Sequence, residues 1–118
     1  MKKKPVYSMI YTTVSTEDEV ERLSNLILEN KLAACIQISK VESRYIWKGK
    51  ICKEPEFLLN IKTESSNFNE LKRLIKSNHS YEIPEIIQVE INHGSKEYLQ
   101  WVSNNSSKKP FDLSIKKD

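Results

Sequence analysis

The chain has 118 residues, 38% of them apolar and 30% charged, with a formal charge of +3; this fits one modest core and excludes two independent domains, a disordered chain and a membrane-spanning protein. Much of the positive charge stands near the ends, in Lys2, Lys3, Lys4, Lys108, Lys109, Lys116 and Lys117, while the central cations interleave with glutamates. That pattern argues against the one-sided basic face of a nucleic-acid binder.

Val6 to Thr13 is rich in β-branched and aromatic residues and reads as a first strand. The lysines ahead of it imitate a signal peptide, but Pro5, Ser8, Thr12 and Thr13 interrupt the apolar run and no small-residue cleavage site follows. Thr16 and Glu19 fit a capping box, with Glu17 and Asp18 placing negative charge in the first turn. Val20, Leu23, Leu26 and Ile27 then recur at helical spacing up to Asn30, the expected left-handed terminator. Leu32 to Ile38 and Ser43 to Trp47 form a long strand entering a hairpin at Lys48-Gly49-Lys50. In Glu56 to Thr63, Phe57, Leu59 and Ile61 alternate with Leu58, Asn60 and Lys62 as in a half-buried strand, and Pro55 marks where pairing is expected to restart.

Asn67 and Glu70 suggest a second capping box, before a helix striped with Phe68, Leu71, Leu74 and Ile75 that ends near Asn78. The loop HSYEIPE follows. Pro84 pushes Ile83 to an extended conformation, and Ile87, Val89 and Ile91 alternate as the fourth strand. His93-Gly94 reads as a turn and Ser95 as the cap of a final helix carrying Tyr98, Leu99, Trp101 and Val102. Beyond Asn104 the tail is polar and basic, with Phe111 and Leu113 available to dock. The whole chain, 1–118, is one domain, with its core at about 5–104 and the tail at 105–118.

This order is the α+β, ferredoxin-like βαββαβ arrangement with an extra C-terminal helix. Two helices cover one sheet face. The first strand offers Ile10 to one side and Tyr7, Met9 and Tyr11 to the other, so the second face calls for burial against a partner. The hairpin is longer than the first strand can match, and its unpaired edges favour closure by another subunit.

The densest set of groups able to carry chemistry is His79, Tyr81, Glu82 and Glu85. Imidazole and carboxylate lone pairs suit Zn²⁺ or Cu²⁺. The plainer readings are a helix-terminal histidine that complements the dipole and a glutamate paired with a surface lysine. Cys35 and Cys52 match no paired metal or redox spacing, which points to reduced thiols and a cytoplasmic setting. Cys35 reads as a small core residue and Cys52 as an exposed thiol. Tyr45, Trp47 and Trp101 suit either core packing or an interface. Lys62 is positioned to receive an anion, or is simply an exposed strand lysine. An RNA-recognition module needs stacking aromatics on its central strands, and EFLLNIKT lacks that pattern. No Walker loop, Rossmann fingerprint, HExxH or GxSxG occurs, and no enzyme active site is spelled out.

As a set, LAACIQI, SRYIWKGKI, IKT, HSYEIPEII and YLQWV, in that order and spacing, resemble the CutA family of divalent-cation-tolerance proteins. The resemblance spans the first strand to about Val102. It implies a ferredoxin-like subunit in a tight homotrimer, with open sheet faces packed around the threefold axis and hairpins paired between neighbours. It also implies a link to copper and other divalent cations, with His79 and Glu85 as the ligands carried over from the family's HPYxxPE loop. Ser80 stands in place of that loop's first proline, which is expected to loosen it. Thr12 stands where some members have a cysteine, which removes a thiolate for Cu(I). The likeness of this trimer to PII signalling proteins implies a second reading, a small-molecule effector cleft between subunits lined by Trp47, Lys62, Tyr81 and Glu85, or a protein scaffold with incidental metal.

Overall fold

The computed structural model describes residues 4–106. Strand β1 (Tyr7–Val14) leads to helix α1 (Glu17–Glu29), then β2 (Cys35–Trp47), β3 (Lys50–Glu64), a short 3₁₀ turn (Ser65–Asn67), α2 (Phe68–Ser77), β4 (Ile87–Ile91) and α3 (Lys96–Ser106). The strands form one antiparallel sheet in the order β2-β3-β1-β4. This is the ferredoxin-like arrangement expected from the element order. Phe111 and Leu113 lie outside the described residues.

The helix boundaries follow the local chemistry, with two amendments. Thr16 caps α1 by accepting from the Glu19 backbone N–H at 3.1 Å. The left-handed terminator is Lys31 (φ 55°), one residue beyond Asn30. Lys31 N–H donates to the Leu28 carbonyl and Leu32 N–H to the Ile27 carbonyl, the paired bonds of a Schellman end. At α2, Asn67 does not cap. It is already helical, and its side-chain amide donates to Thr63 Oγ1 and to the Ser106 carbonyl at 2.9 and 2.5 Å, tying the start of α2 to the end of α3. Ser95 does cap α3, through the Tyr98 N–H at 3.2 Å.

Ile10, Val14, Leu59 and Ile61 from the sheet meet Leu23 and Ile27 of α1 and Leu71 and Ile75 of α2 in a fully buried cluster. Strand alternation puts Tyr7, Met9 and Tyr11 on the opposite face, half-buried. That face carries the third helix at one end: Tyr7 Oη lies 2.7 Å from Ser103 Oγ, which donates to Glu64 at 2.6 Å. So α3 shields part of the face expected to be bare. Ile87 and Val89, opposite Tyr11 and Met9, remain 49% and 42% exposed.

β1 pairs with β3 as far as Val14↔Phe57, while the β2–β3 ladder runs on from Val41↔Glu56 to Trp47↔Lys50. Those seven pairs project about 23 Å beyond the sheet, at roughly 3.3 Å per residue. Pairing runs through Pro55, opposite Glu42, and does not restart there. β1 has ended by that point, so the edge facing away from β2 is free to take a proline. Lys48 (φ 50°) and Gly49 (φ 78°) give the two-residue loop with both φ positive that matches strand twist.

Candidate functional site

The loop after α2 is tied to three elements. Arg22 of α1 donates to both the side-chain oxygen and the carbonyl of Asn78, at 3.2 and 3.0 Å. His79 Nε2 lies 2.8 Å from the Thr13 carbonyl at the end of β1, and its Nδ1 accepts the Tyr81 N–H at 3.1 Å. A carbonyl can only accept and a backbone N–H can only donate, so these partners fix the neutral Nε2–H tautomer. Ser80 N–H donates to Glu19 Oε2 at 3.2 Å, while Glu19 Oε1 accepts from the N–H and hydroxyl of Ser15. Ser80 thus supplies a backbone tether that a proline at this position would lack. Burial opposes ionisation of Glu19, but the hydrogen bonds from Ser80 and Ser15 outweigh it and hold its carboxyl below the usual value.

Between this loop and the projecting hairpin lies a cleft of about 700 Å³. The two-residue turn sets the pairs Tyr45↔Cys52, Ser43↔Glu54 and Val41↔Glu56, so Tyr45, Trp47, Glu54 and Glu56 share one hairpin face. They line the cleft from one side, and Tyr81, Glu82, Ile83, Pro84 and Glu85 line it from the other. Tyr81 Oη donates to Glu56 Oε2 at 2.5 Å. Glu56 is only 8% exposed. Burial, followed by that bond and the Glu56 charge, pushes the Tyr81 phenol well above its usual range. A hydrogen bond to Glu54 raises Tyr45. Burial and the neighbouring Glu56 raise the Glu85 carboxyl.

Four glutamates and one arginine line the cleft, and Arg44 is paired with Glu42 at 2.8 Å. Among the described residues no lysine or arginine forms an ion pair with Glu54, Glu56, Glu82 or Glu85. The cleft thus presents net negative charge walled by three aromatic rings.

The structure brings Trp47, Tyr81 and Glu85 to one cleft and leaves Lys62 out of it. Lys62 lies opposite Met9 and Cys35 and donates to Gln37 Oε1. It lies six positions along β3 from Glu56, about 20 Å, so within one chain Lys62 and this cleft are apart. His79 is also outside the lining, and both its nitrogens are occupied. Among the described residues no group of three His, Cys, Asp or Glu converges tightly enough to hold a metal ion. Cys52 lines the cleft, half-buried, and Cys35 is half-buried; Cys35 faces Tyr98, whose phenol is raised by burial and then by that thiol. Trp101 stacks with Tyr98 at 5.7 Å, both partly exposed.

Glu54 and Glu56 escaped the reading of the sequence. The signal lay in the Lys48-Gly49 turn: counting outward from it places both carboxylates on the face of Tyr45 and Trp47.

Fold and cleft together define a ferredoxin-like chain with a projecting hairpin and an acidic, aromatic-walled recess. The chain matches the family described as CutA1 divalent ion tolerance protein over residues 8–105, and it belongs to that family. It is 39% identical to the divalent-cation tolerance protein CutA of Archaeoglobus fulgidus, over 82% of this chain and 95% of that protein. It is also 39% identical to the chloroplastic protein CutA of Arabidopsis thaliana, over 83% of this chain and 54% of that protein; the chain thus spans about half the length of the plant relative. The crystal structure of CutA1 from Oryza sativa superposes with a TM-score of 0.84 at 37% identity, covering 88% of this chain and 96% of that one.

Proposed function

We propose that this chain serves divalent-cation tolerance as a cytoplasmic, non-catalytic homotrimer that holds divalent cations weakly at the acidic cleft. The observation that carries the reading is that Glu56 and Glu85 line one cleft, where burial and then the Glu56 charge raise Glu85 and no lysine or arginine among the described residues is ion-paired with either. Two carboxylates completed by water make a weak, oxygen-rich site. Copper, the metal the family resemblance implies, requires His79 to give up Thr13 or Tyr81 before it can coordinate. The trimer is supported by the exposed Ile87 and Val89 on the sheet and by Ile46 and Ile51 at the hairpin, 75% and 84% exposed, a distribution that favours burial against other copies.

Equilibrium dialysis against Mn²⁺, Zn²⁺ and Cu²⁺, with light scattering for subunit number, tests the reading. Glu85→Gln is expected to weaken cation binding about tenfold, equivalent to about 1.4 kcal/mol. Equal uptake by wild type and Glu85→Gln overturns the site. Copper affinity unchanged in His79→Ala removes that imidazole from any coordination sphere.

A further inference from the structure

The cleft is larger than a bare ion needs, and its walls are of the wrong chemistry for a metal alone. A divalent cation uses oxygen atoms and gains little from an indole. Here Trp47, Tyr45 and Tyr81 line the same recess as the carboxylates, with Ile83 and Pro84 beside them. Aromatic faces attract organic cations through the ring quadrupole. Trp47 already shows this affinity at the hairpin tip, where Lys48 Nζ stands 5.8 Å from its ring centroid. Glu56 adds an independent sign. It is more than nine-tenths buried, its Oε2 accepts from Tyr81, and no lysine or arginine among the described residues forms an ion pair with it. A buried carboxylate is normally paired with a charge and hydrogen-bonded. The missing partner is a cation that donates hydrogen bonds.

We propose that the cleft between the hairpin and the loop binds a linear aliphatic diamine or polyamine. Its primary ammonium groups donate to Glu56 and Glu85, and its methylene chain lies against Trp47, Tyr81 and Pro84. A quaternary ammonium is a poorer fit because it has no N–H for the carboxylates. An anion is excluded by four glutamates facing one arginine that is already paired. The inference rests on reading the cleft as a cation site, and it differs from the metal proposal in needing the aromatic wall.

Isothermal titration of the full chain with spermidine is the test, with tetramethylammonium and ATP as comparators and Zn²⁺ titrated separately. The expected result is saturable spermidine binding that weakens with added salt, little heat from tetramethylammonium and none from ATP. Glu56→Gln and Trp47→Ala should each weaken spermidine by at least about tenfold, the scale of a desolvated cation–π contact or a charge-assisted bond. Trp47→Phe should keep most of the affinity, which separates loss of the ring from loss of the fold. No saturable spermidine binding by wild type overturns the inference, as does full affinity in a folded Trp47→Ala protein. If Zn²⁺ binds and spermidine does not, this inference alone fails. If spermidine binds and Zn²⁺ does not, the metal reading alone fails.

Discussion

The helix-covered side of the sheet and the projecting hairpin with its loop are built on opposite principles. On the first, Ile10, Leu59, Ile61, Leu23 and Ile75 are fully buried within one chain, and stability comes from apolar area removed from water. On the second, Ile46 and Ile51 stand in solvent, and position is set by polar bonds: His79 to Thr13, Ser80 to Glu19, Tyr81 to Glu56. The core is thus fixed by pattern, and the cleft by a few long-range polar partners.

Substitutions should separate the two regions sharply. Ile61→Ala removes side-chain atoms from a fully buried site and is expected to lower unfolding free energy by about 2–5 kcal/mol in a denaturant titration. Ile51→Ala, on the hairpin, should change intrachain stability by less than about 0.5 kcal/mol. Ile51→Asp should instead lower the subunit number seen by light scattering. An intact assembly with Asp at that position breaks the proposed role of the hairpin in association.

Tyr81→Phe deletes the donor to a buried carboxylate and is expected to destabilise by about 1–3 kcal/mol, as for hydrogen bonds to charged groups. No loss would mean that Glu56 finds another donor and that the loop is not latched there.

Two smaller effects have opposite pH signs. The folded-state pKa of Glu19 is depressed, so its contribution is present above the ordinary value of 4.5 and is lost as pH falls through the folded value. Ser80→Pro removes both the N–H and the hydroxyl that lower Glu19, and the acid-induced loss of stability should become shallower below about pH 4.5, the shift being a linkage effect. Near neutral pH the lost bond and the stiffer chain nearly cancel, each on the order of 1 kcal/mol. Glu85 is raised, so its ionised form is disfavoured in the folded chain and stability grows as pH falls from above the folded value to 4.5. Glu85→Gln should therefore add less than about 0.5 kcal/mol at neutral pH, given solvent screening, and nothing below pH 4.5.

The element order, the Thr16 and Ser95 caps and the two faces of β1 were legible in the sequence because they follow from spacing within a dozen residues. The left-handed position at Lys31 was missed by one place because asparagine's preference for that conformation is only statistical. Pro55 misled because a proline's effect depends on which strand borders it, and that is a tertiary fact. The cleft was half legible. Trp47, Tyr81 and Glu85 do come together, but Glu56 meets Tyr81 across 25 positions and Glu19 meets Ser80 across 61. Neither pairing leaves a local trace. Lys62 was read as an anion receiver and, by resemblance, as lining a cleft between subunits; within one chain strand register sets it opposite Met9 and Cys35, about 20 Å along β3 from Glu56.

The most direct test of the cation cleft is the titration of the Glu85 carboxyl carbon by NMR, with and without Mg²⁺ as a diamagnetic probe, and again with spermidine. The account predicts a carboxyl that titrates above 4.5 in the free protein and moves downward when a cation joins Glu56 and Glu85. A carboxyl that titrates at its ordinary value, or one that ignores both cations, would contradict it.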